Sequence, residues 1–227
     1  MRITTKTFNP MDEGGDFGLA PARVRRQLDS SLARLGVERV DLYLTHAWDP
    51  DVPIAEVAGV FDELVAAGKI GMYGLSNVGS EEFRAALAVG EFSAVQDSYS
   101  LLDRDVEAEV LPLCGEHGVA FQAFSPLTGG WLTGKYRRDE APPEGSRMTL
   151  RSDPYEHLRT DAVYDAIEEL ERRGDPATLA LAWLLADPNV SVVIGPRRPD
   201  HLRPALAALG NPLTAADRDA LSAVFAR

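Results

Sequence analysis

The 227-residue sequence predicts an α/β protein of barrel type, built from repeated parallel strand–helix units. Three observations carry this prediction. Of six short β-like runs, at 2–6, 40–45, 71–75, 93–97, 119–125 and 190–194, most are apolar throughout or nearly so, as strands covered on both faces are. Segments with helical spacing alternate with them, so consecutive strands would run parallel through right-handed crossovers. Lys6 and His46 close the first two runs, at the carboxyl ends where β/α barrels do their chemistry. A closed barrel of this kind needs eight strands, and six are found. The expectation is a single domain over 1–227, truncated to about six βα units.

Each helix has its own signals. Pro21 suits a first turn, Val24, Leu28, Leu32 and Leu35 form one stripe, and Gly36 stops it. Pro53 opens a second helix with Ile54, Val57, Phe61, Leu64 and Val65 on its apolar face, ended by Gly68. Ser80 with Glu81 and Glu82 starts a third, and Gly90 ends it. Val106, Val110, Leu113 and Cys114 form the next stripe, which stops at Gly118. Helices follow around 161–173, 175–186, 199–209 and 214–226; Thr214 and Asp217 are spaced as a capping box. The stretch 128–160 breaks the rhythm and is expected to be a long cofactor or substrate loop, since loops of that length in compact domains are functional or disordered.

Composition narrows the function. A net charge of −12 argues against general affinity for nucleic acid or anionic membranes. The single cysteine, Cys114, excludes an internal disulfide, fits a reducing compartment and reads as a buried structural thiol. No apolar run approaches the ~20 residues of a membrane span, and the start lacks a signal-peptide layout. A cytoplasmic protein without a metal site is expected. Twenty arginines against three lysines, with abundant alanine, point to a GC-rich bacterial genome.

The motifs Asp41-Leu-Tyr-Leu-Thr-His46, Gly68-Lys69-Ile70, Gly74-Leu75-Ser76-Asn77, Gln96-x-x-Tyr99-Ser100, Phe124-Ser125-Pro126-Leu127 and Gly130-x-Leu-Thr-Gly-Lys-Tyr136 together resemble the aldo-keto reductases, most closely the bacterial reductases and potassium-channel β subunits. The likeness runs in unbroken order from residue 2 to the C-terminus. It implies an eight-stranded barrel binding NADP(H) at the strand ends and interconverting a small-molecule carbonyl and alcohol. The family's catalytic group is Asp, Tyr, Lys and His. Lys6 matches its lysine, whose ammonium lowers the pKa of the proton-donating tyrosine. His46 matches its histidine, which donates a hydrogen bond to the carbonyl oxygen. The plainer alternatives are a solvated strand-end lysine and a loop histidine ahead of Trp48-Asp49-Pro50.

The same resemblance implies a cofactor set. Ser76 is part of it, and Asn77 and Gln96 would hold the nicotinamide carboxamide, whose amide needs matched donors and acceptors. Phe124 would stack on the nicotinamide ring. Ser125, Leu127, Gly129, Thr133 and Lys135 map to the loop over the pyrophosphate, and Ser146-Arg147 to a pair that places an arginine by the cofactor. Gly195-Pro-Arg197-Arg198-Pro-Asp-His201 opens a helix, with Arg197 or Arg198 facing the 2′-phosphate and His201 in the place of a family Gln or Arg. Pro204-Ala205 replaces the family's adenine-gripping Glu-Asn. Tyr99 is either a core aromatic or, with Trp48 and Trp131, part of a pocket wall.

The family's Asp and Tyr come from a segment ahead of its lysine, and the sequence as given starts after it. Three readings stay open: a chain lacking upstream residues whose parent is an ordinary reductase; a short relative that covers its open sheet edges by rearrangement or homo-oligomerisation; or a remnant without function. In the second, Lys6 and His46 would serve a lyase or dehydratase step, or the chain would act as a nucleotide-binding interaction subunit.

Overall fold

A computed structural model describes residues 1–10 and 15–226. Strands and helices alternate: β1 (Thr4–Thr7), α1 (Pro21–Leu35), β2 (Val40–Thr45), α2 (Ile54–Ala66), β3 (Ile70–Ser76), α3 (Ser80–Leu87), β4 (Ala94–Ser98), α4 (Val110–His117) and β5 (Ala120–Phe124). After β5 come α5 (Arg147–Leu150), α6 (Asp161–Arg173), α7 (Pro176–Leu185), β6 (Val190–Val192), α8 (Arg203–Gly210) and α9 (Ala215–Val224). The six strands form one sheet in chain order, the arrangement expected of parallel βα units. No helix among the described residues is long and apolar enough to cross a membrane.

The chain divides into two compact units, Met1–Asp97 with Glu107–Phe121, and Ser98–Val106 with Gln122–Arg227. In the first, β1–β2, β2–β3 and β3–β4 pair in parallel, with Lys6 opposite Leu44, Leu44 opposite Gly74 and Gly74 opposite Ala94. Because side chains alternate across a strand, this register puts Lys6, Leu44, Gly74, Ser76, Ala94 and Gln96 on one face. Leu42, Leu44 and Ala94 form an apolar cluster there. The opposite face meets the helices through an aromatic row. Tyr43 packs on Phe61 at 5.6 Å, Phe61 on Tyr73 at 5.1 Å, and Tyr73 on Phe92 at 5.0 Å. The Tyr43 hydroxyl donates to the Val24 carbonyl of α1 at 3.4 Å, and the Tyr73 hydroxyl to Asp62 at 2.7 Å. Each fully buried side chain of this kind contributes about 1.5–3 kcal/mol of apolar burial.

Helix ends follow the sequence signals. Gly36 and Gly118 cap α1 and α4 in the left-handed conformation that glycine adopts without steric cost. Thr214 and Asp217 form the expected capping box. Asp175 caps α7 by accepting from the Thr178 amide at 2.8 Å.

The second unit is centred on Trp183, fully buried, with Arg104 and Arg218 over its ring at 5.5 and 5.1 Å and Tyr99 beside it at 5.1 Å. Trp131 packs against Tyr136 and Tyr164. Tyr99 and Trp131 are therefore core aromatics, which resolves the open reading of the first and corrects the expectation that the second lines a pocket.

Other expectations are corrected too. Leu35 and Val65 end their stripes exposed, because each sits in the last turn as its helix leaves the sheet. Val106 belongs to a separate 3₁₀ turn, Asp105–Glu107, rather than to α4. Ser80 is the first helical residue; Gly79 precedes it, and its amide donates to Glu82 at 2.9 Å. The stretch 128–160 contains short local helices: 3₁₀ segments Thr128–Thr133 and Asp153–Leu158 flank α5. Turns this short leave no hydrophobic period for a sequence window to detect.

A Cβ added at Gly74 would run into the Ala94 carbonyl oxygen and come 2.8 Å from Leu44 Cδ2. Gly74→Ala is accordingly expected to lower the unfolding free energy by about 1–3 kcal/mol. Urea unfolding followed by circular dichroism measures it, and an unchanged midpoint would show that the strand pair has room.

Candidate functional site

Lys6, His46, Ser76 and Asn77 meet at the carboxyl ends of β1, β2 and β3. Lys6 Nζ donates to Ser76 Oγ at 2.8 Å. Asn77 Nδ2 donates to the same oxygen at 3.2 Å and to the His46 carbonyl at 2.8 Å. The His46 amide donates to the Thr7 carbonyl at 2.7 Å, so the strand ends carrying the lysine and the histidine are joined through their backbones. Asn77 has a φ of +56°, a left-handed conformation that asparagine tolerates better than most residues. That turn brings its amide back over the strand it has just left. With both its hydrogens so committed, Asn77 offers a ligand its Oδ1 as acceptor. Gln96, expected beside it, is buried on β4 opposite Ser76 in register, and its backbone oxygen accepts from the Asn77 amide at 3.2 Å.

The electrostatics of the cluster follow from burial. Removal from water pulls the Lys6 ammonium down to about 8, partly offset by the carboxylate of Asp97. Burial also lowers the His46 pKa, and the Lys6 charge lowers it further. The outcome is a lysine that titrates near neutrality beside an imidazole that is neutral at pH 7. Cys114, by contrast, is pushed up to about 12 by burial, with Asp97 adding to the shift, and is the inert thiol its place on α4 predicted.

Four participants were not singled out from the sequence. Asn9 Nδ2 lies 2.7 Å from His46 Nδ1. Arg23 and Gln27 of α1 are buried polar groups that bind the segment leaving β1. Asp97 accepts from the Val78 amide at 3.3 Å. The available signal was polarity on an otherwise apolar helix face: Arg23 and Gln27 fall beside Val24 and Leu28.

In the second unit a cavity of about 510 Å³ is lined by residues that include Phe124, Ser125, Thr128, Arg147, Arg151 and Tyr155. Three of the expected cofactor residues thus share one cavity, and Arg151 adds a second guanidinium. Next to Arg147, the Ser146 hydroxyl is buried with no hydrogen-bond partner. Two arginines and a flat ring on the cavity wall suit a phosphate-bearing ligand with an aromatic ring, and the volume lies in the range of small-molecule sites. Asp103, on the same wall, accepts from the Ser98 hydroxyl at 2.5 Å.

Other members of the set shape the loop itself. Thr133 Oγ1 donates to the Gly130 carbonyl at 2.7 Å. Lys135 lies over the Tyr136 ring at 5.1 Å. Leu127 packs on the apolar cluster of Leu181, Ala182 and Ala208. Gly129 is needed where it stands: its φ is +62°, and a Cβ there would lie 2.6 Å from the Tyr155 ring. Near the C-terminus Gly195, Arg197 and His201 are exposed; the His201 ring accepts from the Arg197 amide at 3.3 Å. Arg198 pairs with Asp200 at 3.4 Å, which leaves Arg197 as the better placed of the two for an anion. The segment opens with a 3₁₀ turn, Pro199–Leu202, before α8 begins.

Backbone strain marks the same ends. Among the described residues, the non-glycine positions with positive φ are Phe8, Asn77, Ser125 and Thr128. Each follows directly, or within four residues, the carboxyl end of β1, β3 or β5. Such conformations persist only where their surroundings hold them, and they collect at functional sites.

Comparison with known proteins gives the family. The chain is 37% identical over 209 residues to the NADH-specific methylglyoxal reductase of Escherichia coli (strain K12), covering 88% of this chain and 63% of that protein. It is 32% identical over 207 residues to the aldo-keto reductase yakc [NADP(+)] of Schizosaccharomyces pombe, covering 87% and 61%. The chain thus spans less than two thirds of the length of either relative. Among solved structures, the glycerol dehydrogenase AKR11B4 from Gluconobacter oxydans superimposes with a TM-score of 0.86 at 27% identity, over 100% of this chain and 72% of that one. The aldo-keto reductase AKR11C1 from Bacillus halodurans, in its holo form, gives 0.83 at 28% identity. The sheet of six strands seen here is part of the barrel fold of these neighbours. With the model of the Aldo/keto reductase family matching residues 1–225, the chain belongs to that family.

Proposed function

We propose that this chain carries the proton-handling and cofactor-binding parts of an NADP(H)-dependent oxidoreductase that interconverts a small-molecule carbonyl and its alcohol. The observation that carries the reading is the Lys6–Ser76–Asn77–His46 cluster at the strand ends, with burial lowering the pKa of both titratable groups. When bound, the nicotinamide supplies or accepts the hydride. The chain's own residues do the rest. Lys6 holds an ammonium on the inner face of the sheet, where it stabilises negative charge developing on a nearby oxygen. His46, neutral, donates a hydrogen bond to the substrate oxygen and orients it. In the first unit Asn77 and Gln96 would serve the carboxamide, as the family resemblance implies; in the second, Phe124 would serve the ring, Ser125, Arg147 and Arg151 the phosphates, and Arg197 a 2′-phosphate.

The relatives differ in cofactor: one is named NADH-specific and another NADP(+). The preference for NADP(H) here rests on the arginine pair Arg197-Arg198. The family's tyrosine proton donor has no counterpart among the tyrosines of the first unit. Tyr43 and Tyr73 lie on the helix side of the sheet and are both pushed up to about 12 by burial. The 227 residues alone are therefore expected to turn over a generic aldehyde such as 4-nitrobenzaldehyde little or not at all with NADPH, as measured by absorbance at the cofactor band. Robust turnover would overturn that expectation.

Cofactor binding has a direct test. Titration of NADPH fluorescence with the 227-residue chain is expected to show quenching, with Arg147→Ala weakening affinity about tenfold or more, as loss of a charge-assisted contact does. Absence of quenching at high micromolar concentrations would remove the binding reading.

A second reading has Lys6 acting as a base in a proton transfer without net reduction; the ammonium's low pKa favours it. The sign of the pH dependence separates the two. Lys6 is charged below about pH 8 and neutral above it. A reaction needing the ammonium loses rate as pH rises through 8, and one needing the free amine gains it. With three lysines in the chain, carbon-13 NMR of methylated lysines is expected to show one resonance titrating near 8 and vanishing in Lys6→Met. Three normal titrations near 10 would refute both forms of this argument.

A further inference from the structure

We propose that Asn9 is a positioning residue for His46: its side-chain amide, anchored through its own backbone by Arg23 and Gln27, fixes the imidazole proton on Nε2. The inference deepens the reading of His46 as a hydrogen-bond donor and rests on it. Asn9 Nδ2 is 2.7 Å from His46 Nδ1. An amide nitrogen has only hydrogens to offer, so Nδ1 must accept. A neutral imidazole accepting at Nδ1 carries its proton on Nε2. Among the described residues Nε2 has no hydrogen-bond partner, so the ring's one donor remains available to a ligand.

An exposed asparagine side chain would ordinarily sample many positions. This one is tethered from behind. The Asn9 carbonyl accepts from Arg23 Nη2 at 2.8 Å and from Gln27 Nε2 at 3.1 Å. Those two side chains are 3% and 7% exposed, so they belong to the interior of the unit. The same guanidinium donates to the carbonyls of Asp16 at 2.7 Å and Gly18 at 2.8 Å, and to Gln27 Oε1 at 2.6 Å. Gln27 Oε1 also accepts from Thr7 Oγ1 at 2.6 Å and from the Phe8 amide at 3.3 Å.

Between Lys6 and Asn9 the chain makes a strained step, with Phe8 at a φ of +130°. Its carbonyl accepts from the Gly18 amide at 2.9 Å. Two buried residues of α1 thus hold a strained segment whose visible product is one amide pointed at one imidazole nitrogen. On the other side, His46 is fixed through its backbone by Thr7 and Asn77.

Long-range nitrogen-15 NMR of the histidine rings reads the tautomer directly, whether or not the chain has activity. The chain has four histidines, and the spectrum of His46→Ala assigns the one of interest. At about pH 7.5, where neutral imidazole predominates, the His46 proton is expected on Nε2. Asn9→Ala is expected to reduce the Nε2–H to Nδ1–H ratio about fivefold, the factor a net hydrogen bond of ordinary strength supplies. Asn9→Asp is expected to invert the ratio, since a carboxylate can only accept and draws the proton to Nδ1. Because Asn9 is exposed, both variants should keep the wild-type circular dichroism spectrum. A wild-type proton on Nδ1, or a ratio unmoved by either substitution, would overturn the assignment. Loss of the proposed reductase role would leave this result standing, because the readout needs neither substrate nor cofactor.

Discussion

The chemistry of the first unit depends on one ammonium held partly out of water. A half-buried charge is costly unless hydrogen-bonded, and Lys6 meets that requirement by donating to the Ser76 hydroxyl two strands away. The contact exists because the parallel register puts both residues on the same face. Incomplete compensation is what makes the site useful. Burial lowers the Lys6 pKa and the Asp97 carboxylate only partly offsets it, while burial also lowers the His46 pKa, with the Lys6 charge adding to that shift. A carboxylate in place of Ser76 would raise both values and turn a poised pair into an ordinary ion pair.

Rigidity at the strand ends has a related origin. Segments leaving β1, β3 and β5 contain the positive-φ residues Phe8, Asn77, Ser125 and Thr128. Each is tied down locally: Phe8 by Gln27 and Gly18, Asn77 by Gln96 and His46, Thr128 by the Ser125 carbonyl and the Ser100 hydroxyl. The strain re-aims side chains that a regular continuation of the strand would send elsewhere. Asn77 is the clearest case, since its amide returns to Ser76 and to the backbone of His46. The helices supply the restraint from the other side of the sheet, where apolar burial is large enough to tolerate such local cost.

Much of the architecture was legible because it rests on periodic or positional signals. Short β-like runs, most of them apolar, marked all six strands, and glycines in the left-handed conformation ended helices where expected, at Gly36 and Gly118. Lys6 and His46 were legible because the end of a strand is a position that the extended run itself marks. What escaped was whatever depends on three-dimensional neighbours. Nothing in the order of residues says that Arg23 faces inward to gather three carbonyls, or that Asn9 meets the imidazole of His46. The short helical turns of 128–160 escaped because fewer than two turns leave no hydrophobic repeat, and Trp131 was misplaced for the same reason.

The choice of lysine at position 6 follows from this geometry and not from composition. Twenty of the chain's cations are arginines, and the two other lysines sit where a solvated cation serves: Lys69 pairs with Asp29 at 2.6 Å, and Lys135 lies over the Tyr136 ring. Arginine at position 6 would bring five donors in a rigid planar fork to a partly desolvated place, where any donor left without an acceptor is costly. It would also remain charged at every accessible pH, whereas an amine can be brought to the edge of losing its proton by burial alone. A site that needs a point charge with an adjustable proton therefore selects lysine, even in a sequence that otherwise avoids it. The same argument fixes the direction of causality: the fold does not merely tolerate a lysine at the strand end, since the inner face of the sheet is what gives that lysine its unusual acidity.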